Sequence, residues 1–361
     1  MNTELGVPLT WGDAWAAPAA PPDDWESFVD QAFQGRRDIE NVSLPPDQRY
    51  QLHSVTLRQL HREVADSLAS SVRELGQKNL PELVVAWGKC RVGSTSLARN
   101  FGMAGIPSYY QPVKNLLRYR LLGLEPPLWQ IPDGRQHPVV FIKETGGPYR
   151  AAESFFNPLP CLLEAGFPKH KLHVLVLERD PYKTFATWLQ HWAARAPEKA
   201  LLFHFVVASL NLHRVERFAR AQGLKTSWFV HELSRKPEMT IRALFEKLGL
   251  GSIFEPRILV DWKNASAADG KRLPLIFPQE PPVYVAPGIH SDDNAYHYKD
   301  RDAEGLRREC RATIERWRLP QLHAQVVVRT AETLGLDETV FQTVYDMQSI
   351  RRFAAEGTAR H

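Results

Sequence analysis

Residues 83–95 read Leu-Val-Val-Ala-Trp-Gly-Lys-Cys-Arg-Val-Gly-Ser-Thr, an apolar run that leads directly into a loop with two glycines. A short apolar run of this kind is typical of a buried strand in a parallel sheet. The Walker A phosphate-binding pattern has glycine, four residues, glycine, lysine and then serine or threonine. Here both glycines and the final threonine match, but Ser94 occupies the lysine position and Arg91 lies inside the loop. We therefore expect a strand, an anion-binding loop and a helix, without the lysine that contacts a γ-phosphate.

The composition of the 361-residue chain is that of a globular protein without a strong charge bias. Hydrophobic residues make up 43% of the chain, and the net charge of +4 is too small to indicate nucleic acid binding by itself. Three cysteines, far apart and without a CxxC pair, argue against a disulfide framework and a zinc site. No apolar run has the length of a membrane span, and the first residues do not resemble a signal peptide. We expect a cytoplasmic protein with no metal site, no membrane span and no nucleic acid partner.

Strands and helices alternate between residues 81 and 260, which we take as the core. Gly102 is expected to end the first core helix. This alternation indicates a three-layer α/β/α fold, in which helices cover both faces of a central parallel sheet, as in P-loop nucleotide-binding proteins. The pattern predicts strands at 83–87, 139–142, 172–177 and 226–230, and helices at 94–101, 112–122, 181–195, 199–222 and 237–248.

The rest of the chain divides into three segments. Residues 1–80 are predicted to form a helical extension without a convincing strand. A longer helix is expected after Pro45 and Pro46, and its apolar positions from Leu57 to Leu75 should pack on the core. Residues 261–302 are rich in proline and aspartate, which predicts an irregular loop or lid. Residues 303–361 are predicted to be a helical C-terminal extension.

The start of the first core helix is suited to an anion. Ser94, Thr95 and Ser96 place three hydroxyls at a helix N-terminus, close in sequence to Lys89 and Arg91. A helix N-terminus also offers free backbone N–H groups and the positive end of the helix dipole. An ordinary tight turn between strand and helix is the alternative, but it would need only one such residue as a cap.

A second basic motif follows the predicted strand at 172–177. Arg179 comes directly after that strand, and Asp180 with Pro181 is a typical helix start. Ligands of open parallel sheets bind at the carboxyl ends of the strands, where a guanidinium can hold a phosphate with two hydrogen bonds. Thr187 follows about two helical turns later. An ion pair between Arg179 and a neighbouring carboxylate is the alternative interpretation.

Together and in this order, these motifs resemble those of sulfotransferases that use 3′-phosphoadenylyl sulfate (PAPS). Residues 91–95 resemble the loop that binds the 5′-phosphosulfate in that family, and Arg179 with Thr187 resembles the arginine and hydroxyl that bind the 3′-phosphate. Residues 230–250 resemble the family's strand end and the helix after it. The resemblance covers roughly residues 82–250. It implies PAPS as the donor, no metal, and a hydroxyl or amine acceptor that is a small molecule, a carbohydrate or a natural product.

Several positions depart from the family pattern. Val92 replaces a serine, so only its backbone N–H group could bind the donor, and Ser96 replaces an aromatic residue. His231 replaces a tyrosine and keeps a ring that can stack on a purine. The family's C-terminal Arg-Lys-Gly phosphate clamp is not apparent. The donor-site residues that the resemblance implies are Lys89, Arg91, Val92, Gly93, Ser94, Thr95, Ser96, Arg179, Thr187 and His231.

The end of the second core strand supplies candidates for the chemistry. Many members of the family have a lysine there, followed by a base. The resemblance therefore implies that Lys143 stabilises the leaving group and that Glu144 accepts the proton of the acceptor. A solvent-exposed Lys–Glu pair is the structural alternative. His191, His204 and the loop at 285–300 are the other candidates for the base.

Two other functions compete with sulfuryl transfer. A nucleotide kinase or another P-loop phosphotransferase would use the same fold, but the Walker lysine and a clear magnesium-binding aspartate are missing. A non-catalytic, sulfotransferase-like scaffold would bind nucleotide without turnover. Binding that does not depend on magnesium would argue against the phosphotransferase, and turnover would argue against the scaffold.

Overall fold

A computed structural model describes residues 24–35, 37–46, 49–148, 150–194, 196–260, 262, 273–284 and 294–358. Predictions for residues 1–23, 263–272 and 285–293 lie outside the described residues. At the centre is a five-stranded parallel sheet with helices on both faces. The predicted three-layer α/β/α fold is confirmed.

The main sheet has the strand order β4-β5-β3-β6-β7, and all four of its strand pairs are parallel. The chain runs from β3 to the edge strand β4, returns to β5, and then crosses β3 to reach β6 and β7. The strand order therefore reverses beside β3, which is where ligands of open parallel sheets bind. The described strands are β1 (Ser43–Leu44), β2 (Val55–Thr56), β3 (Glu82–Lys89), β4 (Ser108–Tyr110), β5 (Val139–Gly146), β6 (Leu172–Glu178) and β7 (Lys225–Val230).

The helices agree with the predicted alternation, and two further short helices, α5 and α6, follow β5. None of the described helices is both long and apolar enough to cross a membrane. The described helices are α1 (Trp25–Phe33), α2 (Leu57–Leu75), α3 (Ser94–Met103), α4 (Pro112–Leu121), α5 (Ala151–Phe155), α6 (Pro158–Glu164), α7 (Pro181–Trp192), α8 (Glu198–Ala221), α9 (Pro237–Lys247), α10 (Arg308–Arg316), α11 (Leu319–Leu334), α12 (Glu338–Gln342) and α13 (Met347–Thr358).

The core lies on both faces of the sheet because side chains of β3 alternate between them. Leu83, Val85 and Trp87 pack with residues of α2, α4 and α8, whereas Val84 and Ala86 pack with residues of α3, α9 and α11. The apolar face predicted for α2 is buried and contacts α4 and α6. The N-terminal part of the chain also contains β1 and β2, which pair antiparallel and were not predicted.

The described parts of the predicted lid contain no α-helix. Residues 273–284 pass along the edge strand β4, where the N–H group of Tyr110 donates to the carbonyl of Ile276 at 2.8 Å. In residues 294–302, the N–H group of Tyr296 donates to the carbonyl of Leu259 at 2.7 Å. Both segments therefore lie against the core.

Candidate functional site

A cavity of about 250 Å³ lies at the carboxyl end of the parallel sheet. Every strand of that sheet contributes to its wall, either in its carboxyl-terminal half or directly after its last residue. The five contributions come from Arg91 after β3, Gln111 after β4, Lys143 in β5, Arg179 after β6 and His231 after β7. The structure thus brings together nine of the predicted site residues, which are Arg91, Gly93, Ser94, Thr95, Ser96, Lys143, Arg179, Thr187 and His231.

The turn from β3 into α3 depends on two glycines, Gly88 near the end of β3 and Gly93 at the start of α3. Gly93 has φ +77°, in the left-handed region, and a Cβ atom there would overlap the ring of His231. A Cβ atom at Gly88 would lie 2.6 Å from the carbonyl oxygen of Leu177 in β6. Arg91 also has a positive φ, of 74°, which is uncommon outside glycine. The loop therefore approaches the ends of β6 and β7 more closely than a chain with larger residues could.

The N-terminus of α3 points its free backbone groups to the cavity. Gly93 is the N-cap, and the carbonyl of Gly93 accepts the N–H group of Leu97 at 3.1 Å. The N–H groups of Ser94, Thr95 and Ser96 precede this first helical hydrogen bond, so they have no partner within the helix. Because these three residues line the cavity, the helix start can bind an anion there.

Arg179 extends from the end of β6 across the cavity. Its Nη1 donates to the carbonyl of Arg91 at 3.2 Å, and its Nη2 donates to the carbonyl of Lys299 at 3.0 Å. The alternative ion pair is not formed among the described residues, because Asp180 caps α7 by accepting the N–H group of Lys183 at 2.8 Å. Glu178 is paired with Lys89 instead. The Nε–H group of Arg179 is buried and has no acceptor among the described residues.

Lys89 and Val92 lie beneath the loop and do not line the cavity. The ammonium of Lys89 forms a buried ion pair with Glu178. Although burial alone would raise the pKa of the Glu178 carboxyl, the positive charge of Lys89 holds that pKa below its usual value. The side chain of Val92 is buried in the apolar core. Both side chains support the loop from below, and for Val92 only the backbone could reach a ligand.

Lys143 and Glu144 point to opposite faces of β5, as consecutive strand residues must. The Lys143 side chain lines the cavity, with Nζ 3.8 Å from the centre of the Tyr110 ring. The Glu144 carboxylate instead accepts the N–H groups of Val113 at 2.8 Å and Lys114 at 3.1 Å, at the start of α4. Burial lowers the pKa of Lys143 to about 7 and raises the pKa of Glu144 to about 7. The geometry therefore supports Lys143 as a cavity residue and does not support Glu144 as the base.

The other residues predicted as possible bases differ in whether they reach the cavity. His191 is exposed and lines the cavity. His204 is buried, its Nδ1 lies 3.4 Å from the Ser154 hydroxyl, and burial lowers its pKa to about 3. It is not among the lining residues. Of the predicted loop at 285–300, only residues 294–300 are described. Within this part of the loop, His297 is exposed and lines the cavity.

Several cavity residues had no signal in the sequence. Tyr110 ends β4 and Gln111 follows it, and this strand of only three residues is not revealed by the apolar pattern. The remainder come from α3, from α4 and α7, and from segments far along the chain. The cavity residues that sequence reasoning missed or did not assign to the site include Arg99, Tyr110, Gln111, Lys114, Arg118, Trp192, Glu280, Tyr284, Lys299 and Arg301.

The cavity wall is strongly basic. Among the described residues, it contains eight lysines and arginines but one carboxylate, that of Glu280. Burial and the neighbouring Arg179 and Arg301 lower the pKa of Arg91 below its usual value, a sign of uncompensated positive charge. Such a wall is suited to a ligand with more than one negative charge. The eight basic residues are Arg91, Arg99, Lys114, Arg118, Lys143, Arg179, Lys299 and Arg301.

Comparisons of the chain with models of protein families, with curated proteins and with solved structures found no match. Among the described residues, no group of three or more His, Cys, Asp or Glu side chains is arranged to hold a metal ion. The arguments for a function therefore come from the cavity itself.

Proposed function

We propose that the protein is a sulfotransferase that moves a sulfuryl group from PAPS to a hydroxyl or amine of an acceptor. The observation that carries the proposal is the surplus of basic residues in a cavity at the carboxyl end of the sheet, beside the N-terminus of α3. PAPS has phosphate groups at two separate positions of its nucleotide. A ligand of that kind matches a wall with two distinct groups of anion-binding residues.

The residues fit the two ends of such a donor. The loop around Arg91 and the first N–H groups of α3 are suited to the 5′-phosphosulfate. Arg179 and the hydroxyl of Thr187 are suited to the 3′-phosphate. The buried Nε–H groups of Arg91 and Arg179 lack acceptors among the described residues, so both arginines retain a donor for a ligand. When bound, PAPS supplies an activated sulfuryl group.

Lys143 is the residue best suited to stabilise the leaving oxygen. Its side chain is buried, and the described residues include no carboxylate within ion-pair distance of its Nζ. A positive charge in a site with little water stabilises developing negative charge more strongly than it would in solvent. Burial, together with the charges of Lys114 and Arg118, lowers the pKa of this group to about 7, so an anion beside Lys143 would favour the protonated ammonium.

Calorimetry with adenosine 3′,5′-bisphosphate and AMP tests the donor site, with and without magnesium. We expect the bisphosphate to bind more tightly without magnesium, since AMP offers no anion to Arg179. Arg179→Ala should remove most of this preference, about 10–100-fold in Kd, as expected for lost hydrogen bonds to a charged group. Arg73→Ala is the matched control, because Arg73 is exposed on α2 and does not line the cavity.

The same titrations separate the competing functions. Equal affinities for AMP and the bisphosphate in the wild type would refute the donor assignment. Binding of ATP that requires magnesium would favour a phosphotransferase. Tight binding of the bisphosphate, without cleavage of PAPS in the presence of phenol, alcohol and amine acceptors, would favour a nucleotide-binding scaffold.

A further inference from the structure

One wall of the cavity carries balanced charges, in contrast to the donor side. On α4, Lys114 and Arg118 lie one turn apart and both contact the buried carboxylate of Glu153, at 2.7 and 3.0 Å. The Nη1 atom of Arg118 also lies 2.6 Å from the carboxylate of Glu280. Two cations therefore face two carboxylates, so this wall has no surplus charge.

The donor side is different. The described residues include no carboxylate within ion-pair distance of Arg91, Lys143 or Arg179. A ligand with several negative charges is attracted to that side, whereas the α4 wall suits a group without net negative charge. The cavity thus has one side suited to an anionic donor and another side, formed by α4, suited to a group without net negative charge.

Glu280 is the only carboxylate among the described residues that line the cavity. Its side chain is 17% exposed, so it lies inside the cavity mouth, while His191 and His297 are exposed at the rim. A carboxylate can accept about four hydrogen bonds, so the contact with Arg118 leaves capacity for another donor. Glu144 differs because its carboxylate faces the first N–H groups of α4 and does not line the cavity.

The segment that carries Glu280 runs along the edge strand β4, which separates it from β5, the strand that carries Lys143. Ile276 forms a parallel bridge with Tyr109 of β4, and Tyr110 of β4 pairs with Lys143 of β5. The ammonium of Lys143 rests on the ring of Tyr110. Glu280 and Lys143 therefore reach the same cavity from the two sides of β4.

We propose that the acceptor binds on the α4 side of the cavity, between Glu280 and Lys143, and that Glu280 accepts its proton. The proposal rests on the proposed function. The acceptor oxygen or nitrogen forms a bond to sulfur while the bond from sulfur to the donor's phosphate oxygen breaks. The electron pair of that bond stays on the phosphate oxygen, and the proton leaves the acceptor for the Glu280 carboxylate. Arg118 holds the carboxylate in position.

Glu280→Gln tests this role, because the amide keeps the shape and can still accept the hydrogen bond from Arg118. Cleavage of PAPS with an aliphatic alcohol or an amine, acceptors that do not lose their proton by themselves near neutral pH, should fall by about 10²–10⁴-fold, the usual contribution of a general base. The affinity for adenosine 3′,5′-bisphosphate should stay close to that of the wild type. Glu125→Gln is the matched control, because Glu125 contacts Arg120 of the same helix at 2.8 Å but is 84% exposed and outside the cavity.

A second measurement does not need turnover. With the protein saturated with the bisphosphate, the absorbance of bound 4-nitrophenol reports whether its hydroxyl is ionised. A carboxylate beside the hydroxyl disfavours the phenolate. The bound probe should therefore titrate at a higher pH in the wild type than in Glu280→Gln, and Glu125→Gln should match the wild type.

The outcomes distinguish this role from the donor site. Full turnover in Glu280→Gln, equal titration of the probe in both proteins, or loss of bisphosphate binding in the variant would each overturn it. Loss of turnover in His191→Gln or His297→Gln, with Glu280→Gln fully active, would move the base to the rim. A wild type that binds the bisphosphate but cleaves no PAPS would reject the role of Glu280 and leave the donor site intact. A wild type that does not bind the bisphosphate would reject the proposed function.

Discussion

Lys143 is a fully buried lysine with no carboxylate at ion-pair distance among the described residues, a rare situation in a folded protein. The face of the Tyr110 ring, 3.8 Å from Nζ, offers it a weak cation–π partner. Burial lowers its pKa to about 7, so the free protein holds a lysine that is only partly charged near neutral pH. An anionic ligand in the cavity would favour the charged form.

The first prediction concerns the pH dependence of stability. Above about pH 7 folding releases the proton of Lys143, whereas the unfolded chain keeps it up to its ordinary pKa of about 10.4. The unfolded state thus binds more protons in this range, and stability rises with pH there. The free energy of unfolding of the wild type, relative to Lys143→Met, should rise by up to about 1.4 kcal/mol per pH unit. Urea unfolding of both proteins across this range measures the difference, and parallel curves would contradict the lowered pKa.

At the scale of elements, two carboxylates from outside α4 fix its position. Glu144 of β5 accepts the first N–H groups of the helix, where a negative charge also interacts well with the helix dipole. Glu153 of α5 contacts Lys114 and Arg118, one and two turns into the helix. Although burial alone would raise the pKa of Glu153, these two cations hold it at about 2. The cavity face of α4 is therefore set by charges from the strand and helix that pack against it.

The second prediction removes one of these charges. Glu153→Gln leaves two buried cations without their shared carboxylate, and breaking a buried pair in this way costs about 3–5 kcal/mol. Urea or thermal unfolding at neutral pH should show that loss. Glu125→Gln, which breaks an exposed contact of the same helix, should leave stability close to that of the wild type. Equal stabilities of the two variants would mean that Glu153 is not an essential partner of α4.

At the scale of the whole molecule, the C-terminal helices are part of the core and not an appendage. Val326 and Val327 of α11 and Phe341 of α12 are buried in the same apolar cluster as Phe229 of β7. The hydroxyl of Tyr345 also donates to Glu232, just after β7, at 3.0 Å. These helices cover one face of the sheet beside the strand that leads to the cavity.

The third prediction tests this integration. Phe341 is fully buried, so Phe341→Ala should lower the free energy of unfolding by about 3–5 kcal/mol through lost burial and a cavity. Met239→Ala is the control, because Met239 is 47% exposed on α9. A single cooperative urea transition, shifted only in Phe341→Ala, is the expected result. An unshifted midpoint, or a separate early transition confined to the tail, would show that the C-terminal helices fold apart from the sheet.

The local sequence pattern was sufficient to predict the long strands and helices of the core and the anion-binding loop before α3. Apolar runs predicted four strands of the main sheet because a strand buried on both faces must be apolar along its length. The residues from Arg91 to Ser96, together with Arg179 and Thr187, could be grouped because the carboxyl ends of parallel strands meet at one edge. Gly102 was interpreted wrongly as a helix end. The helix continues to Met103, and glycine is needed because a Cβ atom there would lie 2.5 Å from the carbonyl oxygen of Leu273.

Sequence by itself determined the order of the elements and the anion-binding character of the loop, since both depend on neighbours along the chain. Tertiary structure decided which distant side chains complete the cavity. Strand β5 extends to Gly146, so its alternation turns Lys143 to the cavity and Glu144 to the start of α4. Glu280 and Lys299 reach the same cavity from segments more than a hundred residues beyond β5. The periodicity of the sequence does not reveal that these residues lie close together, because their proximity depends on how separate segments pack against one edge of the sheet.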